Sequence, residues 1–186
     1  MLQWFVRDAT SAEIARETRL ERKRVLRALL IVRRALLRSA SLHERRATGA
    51  MGASVSGSPG AAIIGIRVTD GRAWAEVIPD AEAEHLDRWL RNNGHRSITR
   101  AGLHRYSAVV HRGRLYRLDV SGAGRVPFGP VEAFWSNLHR QLRARGGIRR
   151  ERLGLYLAAF SWRYNHRKLP PAQQVKELMT LIRLHR

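Results

Sequence analysis

The stretch Pro130 to Arg143, PVEAFWSNLHRQLR, constrains this chain more than any other. Val131, Phe134, Trp135, Leu138 and Leu142 recur at i, i+3, i+4, i+7 and i+11, the spacing of one apolar helix face. Glu132, Ser136, His139 and Arg143 fall on another face. Pro130 suits the first helical position, where no backbone N–H is needed. A helix is therefore expected from about residue 130, with one side buried and Glu132 in its first turn. There the positive end of the helix dipole favours a negative charge. Two readings of Glu132 stand side by side: an ordinary N-terminal helix acid, or a metal-binding carboxylate facing a basic groove.

That a groove would be basic follows from the charge. Lys+Arg number 35 against Asp+Glu 15, a net charge of +20 with pI near 11.8. Such an imbalance does not define a fold, but it predicts a polyanionic partner: nucleic acid first, an acidic membrane surface second. Lys23, Lys168 and Lys176 are the only lysines. Arginine grips phosphate bidentately and reads guanine edges, although GC-rich coding gives the same bias. With 186 residues, 44% of them hydrophobic, the chain can build one domain of ordinary size plus an appendage. Without cysteine there can be no disulfide and no thiolate zinc site. The longest apolar run, Ala28 to Leu37, is interrupted by Arg33 and Arg34 and falls short of the roughly 18–20 residues that span a bilayer. The start, MLQWFVRDAT, lacks a basic n-region and a long apolar h-region. The expectation is a soluble, cytoplasmic protein without a membrane partner.

Residues 1–38 read as helical. Thr10 or Ser11 can cap a short helix with Glu13 in its first turn. Small and apolar residues at Ile14, Ala15, Leu20, Val25 and Ala28 fit the internal packing of a helix-turn-helix. Its second helix would send Arg22, Lys23 and Arg27 to DNA; a plain helical hairpin with a solvated basic face is the alternative. The turn position that often carries glycine holds Arg19. Residues 39–60, rich in Ser, Ala and Gly, read as a linker or loop.

From Ala61 the pattern turns to β. Residues 61–68 and 73–79 are expected to form an antiparallel hairpin around Asp70-Gly71. Asp80 would cap a helix over 81–93, residues 96–100 would be a short strand, 102–110 helical, 114–120 a strand, and 121–129 a loop. Leu153, Tyr156, Leu157, Phe160 and Tyr164 predict a strongly amphipathic helix ended by Pro170-Pro171. Val175, Leu178, Met179 and Ile182 predict a last one. This order describes a mixed α/β domain, residues 61–186, with helices gathered at its C-terminal end.

Phosphate-loop, G-x-S-x-G and H-E-x-x-H motifs are absent. Four stretches instead carry a resemblance. FVRDATSAEIARETRLERKRVLRALLIVRRALL is similar to the helix-turn-helix segment that precedes the core of DDE insertion-sequence transposases of the ISXO-type group. GIRVTDGRAWAEVIPD looks like that core's second and third strands. VEAFWSNLHRQLR resembles the family's acidic helix, usually IEGFWSxLKR, and YLAAFSWRYNHR its closing YLxEFxFRYNRR signature. The last two are the most specific, since aromatic and charged positions both agree. The resemblance covers nearly the whole chain apart from residues 39–60, without the amino-terminal zinc ribbon of full-length members.

The resemblance implies a ribonuclease-H-like mixed sheet flanked by helices, with an N-terminal helix-turn-helix. It also implies DNA cleavage and strand transfer by two Mg²⁺ ions held on three acids. Glu132 falls on the third acidic position. His43, in Leu42-His43-Glu44 with Gly49 trailing, stands where the first Asp is expected. Ala101 stands at the second, and Gly129 replaces an Asn. Glu44 and Asp70 lie off the pattern. The leading expectation is a DNA-binding transposase homologue, impaired in catalysis, in which Arg140, Arg143, Arg145, Arg149 and Arg150 also contact phosphates. Two alternatives are an active Mg²⁺-dependent strand transferase or nuclease using Glu132, and an arginine-rich structural subunit of a nucleoprotein assembly. RNA is the second nucleic acid that fits, and a homo-oligomer or larger assembly is open.

Overall fold

Thr10 is where the local chemistry of the sequence first becomes structure. Its hydroxyl accepts from the Glu13 backbone N–H at 3.2 Å, and the Glu13 carboxylate accepts from the Thr10 N–H at 2.7 Å. This reciprocal capping box starts an eight-residue helix. The computed structural model describes residues 1–48, 62–78, 106–111, 114–117, 128–145 and 148–185. Among them six helices and four strands follow in order. They are α1 (Leu2–Val6), α2 (Ser11–Thr18), α3 (Arg22–Thr48), β1 (Ile64–Thr69), β2 (Arg72–Val77), β3 (Ala108–His111), β4 (Arg114–Arg117), α4 (Phe128–Ala144), α5 (Arg150–His166) and α6 (Pro171–Leu184).

The chain divides into two units, Met1–Gly52 with Ala158–Arg186, and Ala53–Leu157. The division falls inside α5, so the closing helices group with the N-terminal segment rather than with the 61–157 stretch that precedes them. In the first unit Phe5, Ile14, Val25, Leu29, Val32 and Leu36 share a core with Ala158, Ala159, Trp162 and Leu178. α2 packs on α3, and α6 packs on α1 and α3. Pro170 precedes α6 and Pro171 opens it, at the position where a missing N–H costs nothing. Gln174, buried in its first turn, donates to Leu169 O at 2.8 Å.

α3 does not stop near residue 38. It runs 27 residues to Thr48, through ten positions expected to be linker. Leu42, Glu44, Arg45, Arg46 and Ala47 are strong helix formers, and the first glycine comes only at Gly49. α5 also departs from expectation. Leu157 to Trp162 are all buried, so the helix is covered on every side there rather than amphipathic. On α6, Leu178 is buried but Met179 is 41% exposed, off the face assigned to it.

The second unit is built on a four-stranded sheet in the order β2-β1-β3-β4. Every ladder is antiparallel, so the sheet is not mixed among the described residues. β1 and β2 form the expected hairpin, closed by Thr69↔Arg72 around Asp70 (φ 51°) and Gly71 (φ 71°). One face carries Ile64, Ile66, Val68, Ala73, Ala75, Ala108 and Val110, all buried. Residues 108–110, expected to be helical, form β3 instead. Val109 and Val110 are β-branched, and pairing Ile64↔Val110 and Ile66↔Ala108 gives them a strand's environment. α4 packs against β1, burying Val131, Phe134 and Leu138 to 1% or less, with Trp135 and Leu142 half-buried. The expected helix over 81–93 and strand over 96–100 lie outside the described residues, as does the 121–127 part of the expected loop. Residues 128 and 129 of that loop begin α4. No helix of the described residues is long and apolar enough to cross a membrane.

Candidate nucleic-acid interface

α2 ends at Arg19, whose backbone is left-handed (φ 54°) and whose N–H reaches back to Ala15 O and Arg16 O. Leu20 N also donates to Ala15 O, at 3.2 Å. The chain turns here and re-enters a helix at Arg22. Val25 and Leu29 go into the core at 0% and 2% exposure, which fixes the rotation of α3. That rotation leaves Arg22, Lys23, Arg24 and Arg27 exposed on its first turns. Lys23, Arg27 and Arg34, at i, i+4 and i+11, form one exposed basic row. Arg24 and Arg34 extend the set read from the sequence, and the same 3.6-residue spacing would have found Arg34. Arg38, next along the helix, donates to His185 O at 2.9 Å. It thereby satisfies a carbonyl at the end of α6, where cations suit the dipole.

The second basic set lies on and after α4. Arg140, Arg143 and Arg149 are exposed. Arg145 is instead held by its own helix, donating to Gln141 O at 2.9 Å and Gln141 Oε1 at 2.6 Å. Arg150 is half-buried. Of the five arginines expected at phosphates, three are therefore exposed, Arg140 among them although its Nη2 donates to Asn137 Oδ1. Arg152, exposed on the first turn of α5, adds a cation outside that expected set. Four residues apart on α4, the half-buried rings of Trp135 and His139 stack with centroids 5.0 Å apart and planes at 27°. Their i, i+4 spacing carries that signal in the sequence.

Glu132 is exposed on α4. The helix begins at Phe128, two residues earlier than Pro130, so its first turn holds no acid. Glu132 therefore stands beyond the first turn, where the dipole no longer favours its charge. His43 lies within α3 rather than on a strand, as does Glu44, and Ala101 lies outside the described residues. No group of three or more His, Asp or Glu that could hold a metal occurs among the described residues. Hard Mg²⁺ needs several oxygen donors, and Glu132 by itself does not supply that set.

Two further polar features lie in the sheet. Tyr106, 3% exposed, lies over Gly65 of β1 and donates its hydroxyl to Glu76 Oε1 on β2. His111 on β3 is 5% exposed. Both belong to the packing of the second unit, away from the two basic sets in sequence. Compared with protein-family models, curated proteins and solved structures, the chain matches none of them.

Proposed function

We propose that this chain is a DNA-binding homologue of DDE transposases that no longer performs strand transfer. The observation that carries the reading is the start of α3. Arg22, Lys23, Arg24 and Arg27 stand exposed directly after a capped helix and a tight left-handed turn, while Val25 and Leu29 anchor the helix beneath them. A helix held this way can lie in a duplex groove with its N-terminal side chains on bases and phosphates. The net charge of +20 supplies the attraction that brings it there. Loss of catalysis is supported by the sequence, where His43 and Ala101 occupy positions at which the resemblance asks for aspartate.

Arg22→Ala/Lys23→Ala/Arg27→Ala tests the binding half. Duplex affinity should fall across all sequences, and the log–log salt slope should shrink by roughly 0.9 for each phosphate that is no longer neutralised. Wild-type affinity that ignores salt would sink the reading. For the catalytic half, the wild-type chain should leave supercoiled DNA intact in Mg²⁺ or Mn²⁺. Cleavage that disappears in Glu132→Gln would restore the active enzyme.

A second reading, a subunit of a larger nucleoprotein assembly, draws on apolar side chains left in water beside the basic row. Leu20, Leu26 and Ile31 are 41%, 46% and 54% exposed. Light scattering of the purified chain discriminates: a monomer that binds duplex DNA favours the first reading, a stoichiometric partner the second.

A further inference from the structure

The border between the buried and the exposed faces of α4 combines two chemistries that duplex recognition by α3 does not use together. One is the stacked pair Trp135–His139, at 5.0 Å and 27°, with both rings half-buried. Phe134 and Leu138 are fully buried on the same helix. Trp135 and His139 are only half-buried. The other chemistry is cationic. Arg140 and Arg143 are exposed on the same and the next turn. Arg140 Nη2 donates to Asn137 Oδ1 at 2.5 Å, which holds its guanidinium close to the helix surface.

We propose that this surface binds single-stranded nucleic acid. An unpaired base extends the Trp135–His139 stack, and Arg140 and Arg143 take the phosphates that flank it. The proposal rests on the reading of the chain as a nucleic-acid binder and names a second substrate form for it. Stacking selects the unpaired strand because a base inside a duplex has both faces already covered, whereas a splayed base has a free π-face. It is tolerant of sequence, since all bases offer that face. The arginines give affinity but no preference between strand and duplex, because both carry phosphates. The discrimination must therefore come from the two rings.

Fluorescence anisotropy of the full chain decides it, with labelled oligothymidylate, oligouridylate and a mixed-sequence duplex of equal length at fixed salt. Trp135→Leu should weaken the single strands about tenfold, on the order of one lost base stack, and change duplex affinity less than about twofold. Trp135→Phe, which keeps an aromatic face, should stay within about threefold of wild type. The ratio between the two oligonucleotides tells DNA from RNA as the source of the base. Equal losses for strand and duplex, or Trp135→Phe falling as far as Trp135→Leu, would overturn the proposal. Should Trp135→Leu fail to melt cooperatively, His139→Gln is judged by the same criterion. Wild-type chain that binds duplex but ignores single strands refutes this site and leaves the α3 reading standing.

Discussion

Arg163 on α5 pairs with Asp8 at 2.6 Å, and the same guanidinium lies over the Phe5 ring, 5.1 Å from its centroid. One side chain thus fastens both α1 and the bend that follows it, and Asp8 holds that bend at φ 60°. The pair is mostly covered, at 15% and 21% exposure, so its partners have given up water and depend on each other. Asp8→Asn keeps a residue tolerant of the left-handed backbone but removes the charge. It should cost about 1–2 kcal/mol, less than the loss of a fully buried pair. Arg163→Met, which also removes the cation over Phe5, should cost more. Urea unfolding of both variants checks the order; Arg163→Met as stable as wild type would contradict it.

The capping box predicts a pH-dependent margin. The Thr10 N–H, then its hydroxyl, hold the Glu13 carboxyl below its ordinary value of 4.5. A depressed carboxylate stabilises the fold in full above its unfolded value, and that stabilisation is lost as pH falls through the folded value. Glu13→Gln should therefore melt below wild type at neutral pH and converge with it in acid, as pH falls through the lowered Glu13 value. Thr10→Ala removes the hydroxyl acceptor and should cost about 1 kcal/mol at neutral pH. Thermal melts in a pH series read both.

Features whose cause is local are legible in the sequence alone. Thr10 with Glu13 announces α2, Asp70-Gly71 announces the hairpin, and Pro171 announces α6, because cap, turn and ring chemistry act within a few residues. Features whose cause is remote are not. β3 is four residues long, and its identity comes from pairing with β1 some forty positions earlier in the chain. The all-round burial of Leu157 to Trp162 likewise depends on what covers the helix, not on its own spacing. α3 outruns its expected end for a different reason: the Ser and Ala content after Leu37 resembles linker composition, although Ala is the best helix former. Of the candidate site, the outward turn of Arg22, Lys23 and Arg27 follows from the apolar spacing of Val25 and Leu29. The commitment of Arg145 to Gln141 does not, because a side-chain hydrogen bond leaves no periodic trace.

Gly65 on β1 has a steric reason to be glycine. A Cβ there would fall within the ring of Tyr106, whose hydroxyl reaches on to Glu76. Tyr106 is buried, so its ring cannot swing into solvent without exposing apolar surface. Gly65→Ala should cost about 2–3 kcal/mol by overpacking. In Gly65→Ala/Tyr106→Ala the clash is gone, so the double variant should be more stable than the sum of the single costs predicts. Strict additivity in chemical denaturation would mean that the ring moves aside freely.

Arg19 is the one residue of the α2–α3 turn whose backbone opposes its side chain. It sits at φ 54°, where glycine rests without cost and a residue with a Cβ does not. The position is the left-handed cap that so often ends a helix with glycine. Its N–H is already used by Ala15 O and Arg16 O, so the geometry belongs to the turn and not to the arginine. Arg19→Gly should therefore stabilise the chain by about 0.5–1 kcal/mol, with part of the strain relief offset by the greater freedom of glycine in the unfolded state. Arg19→Ala keeps the strain and should gain nothing. On DNA the two variants should behave alike, since both lose one exposed charge beside Arg22 and Lys23. Each should show a slightly shallower salt dependence than wild type. A turn tightened by glycine that nonetheless abolished duplex binding would mean that α3 must move relative to α2 to engage DNA. The comparison of Arg19→Gly with Arg19→Ala in one salt titration separates that from simple loss of charge.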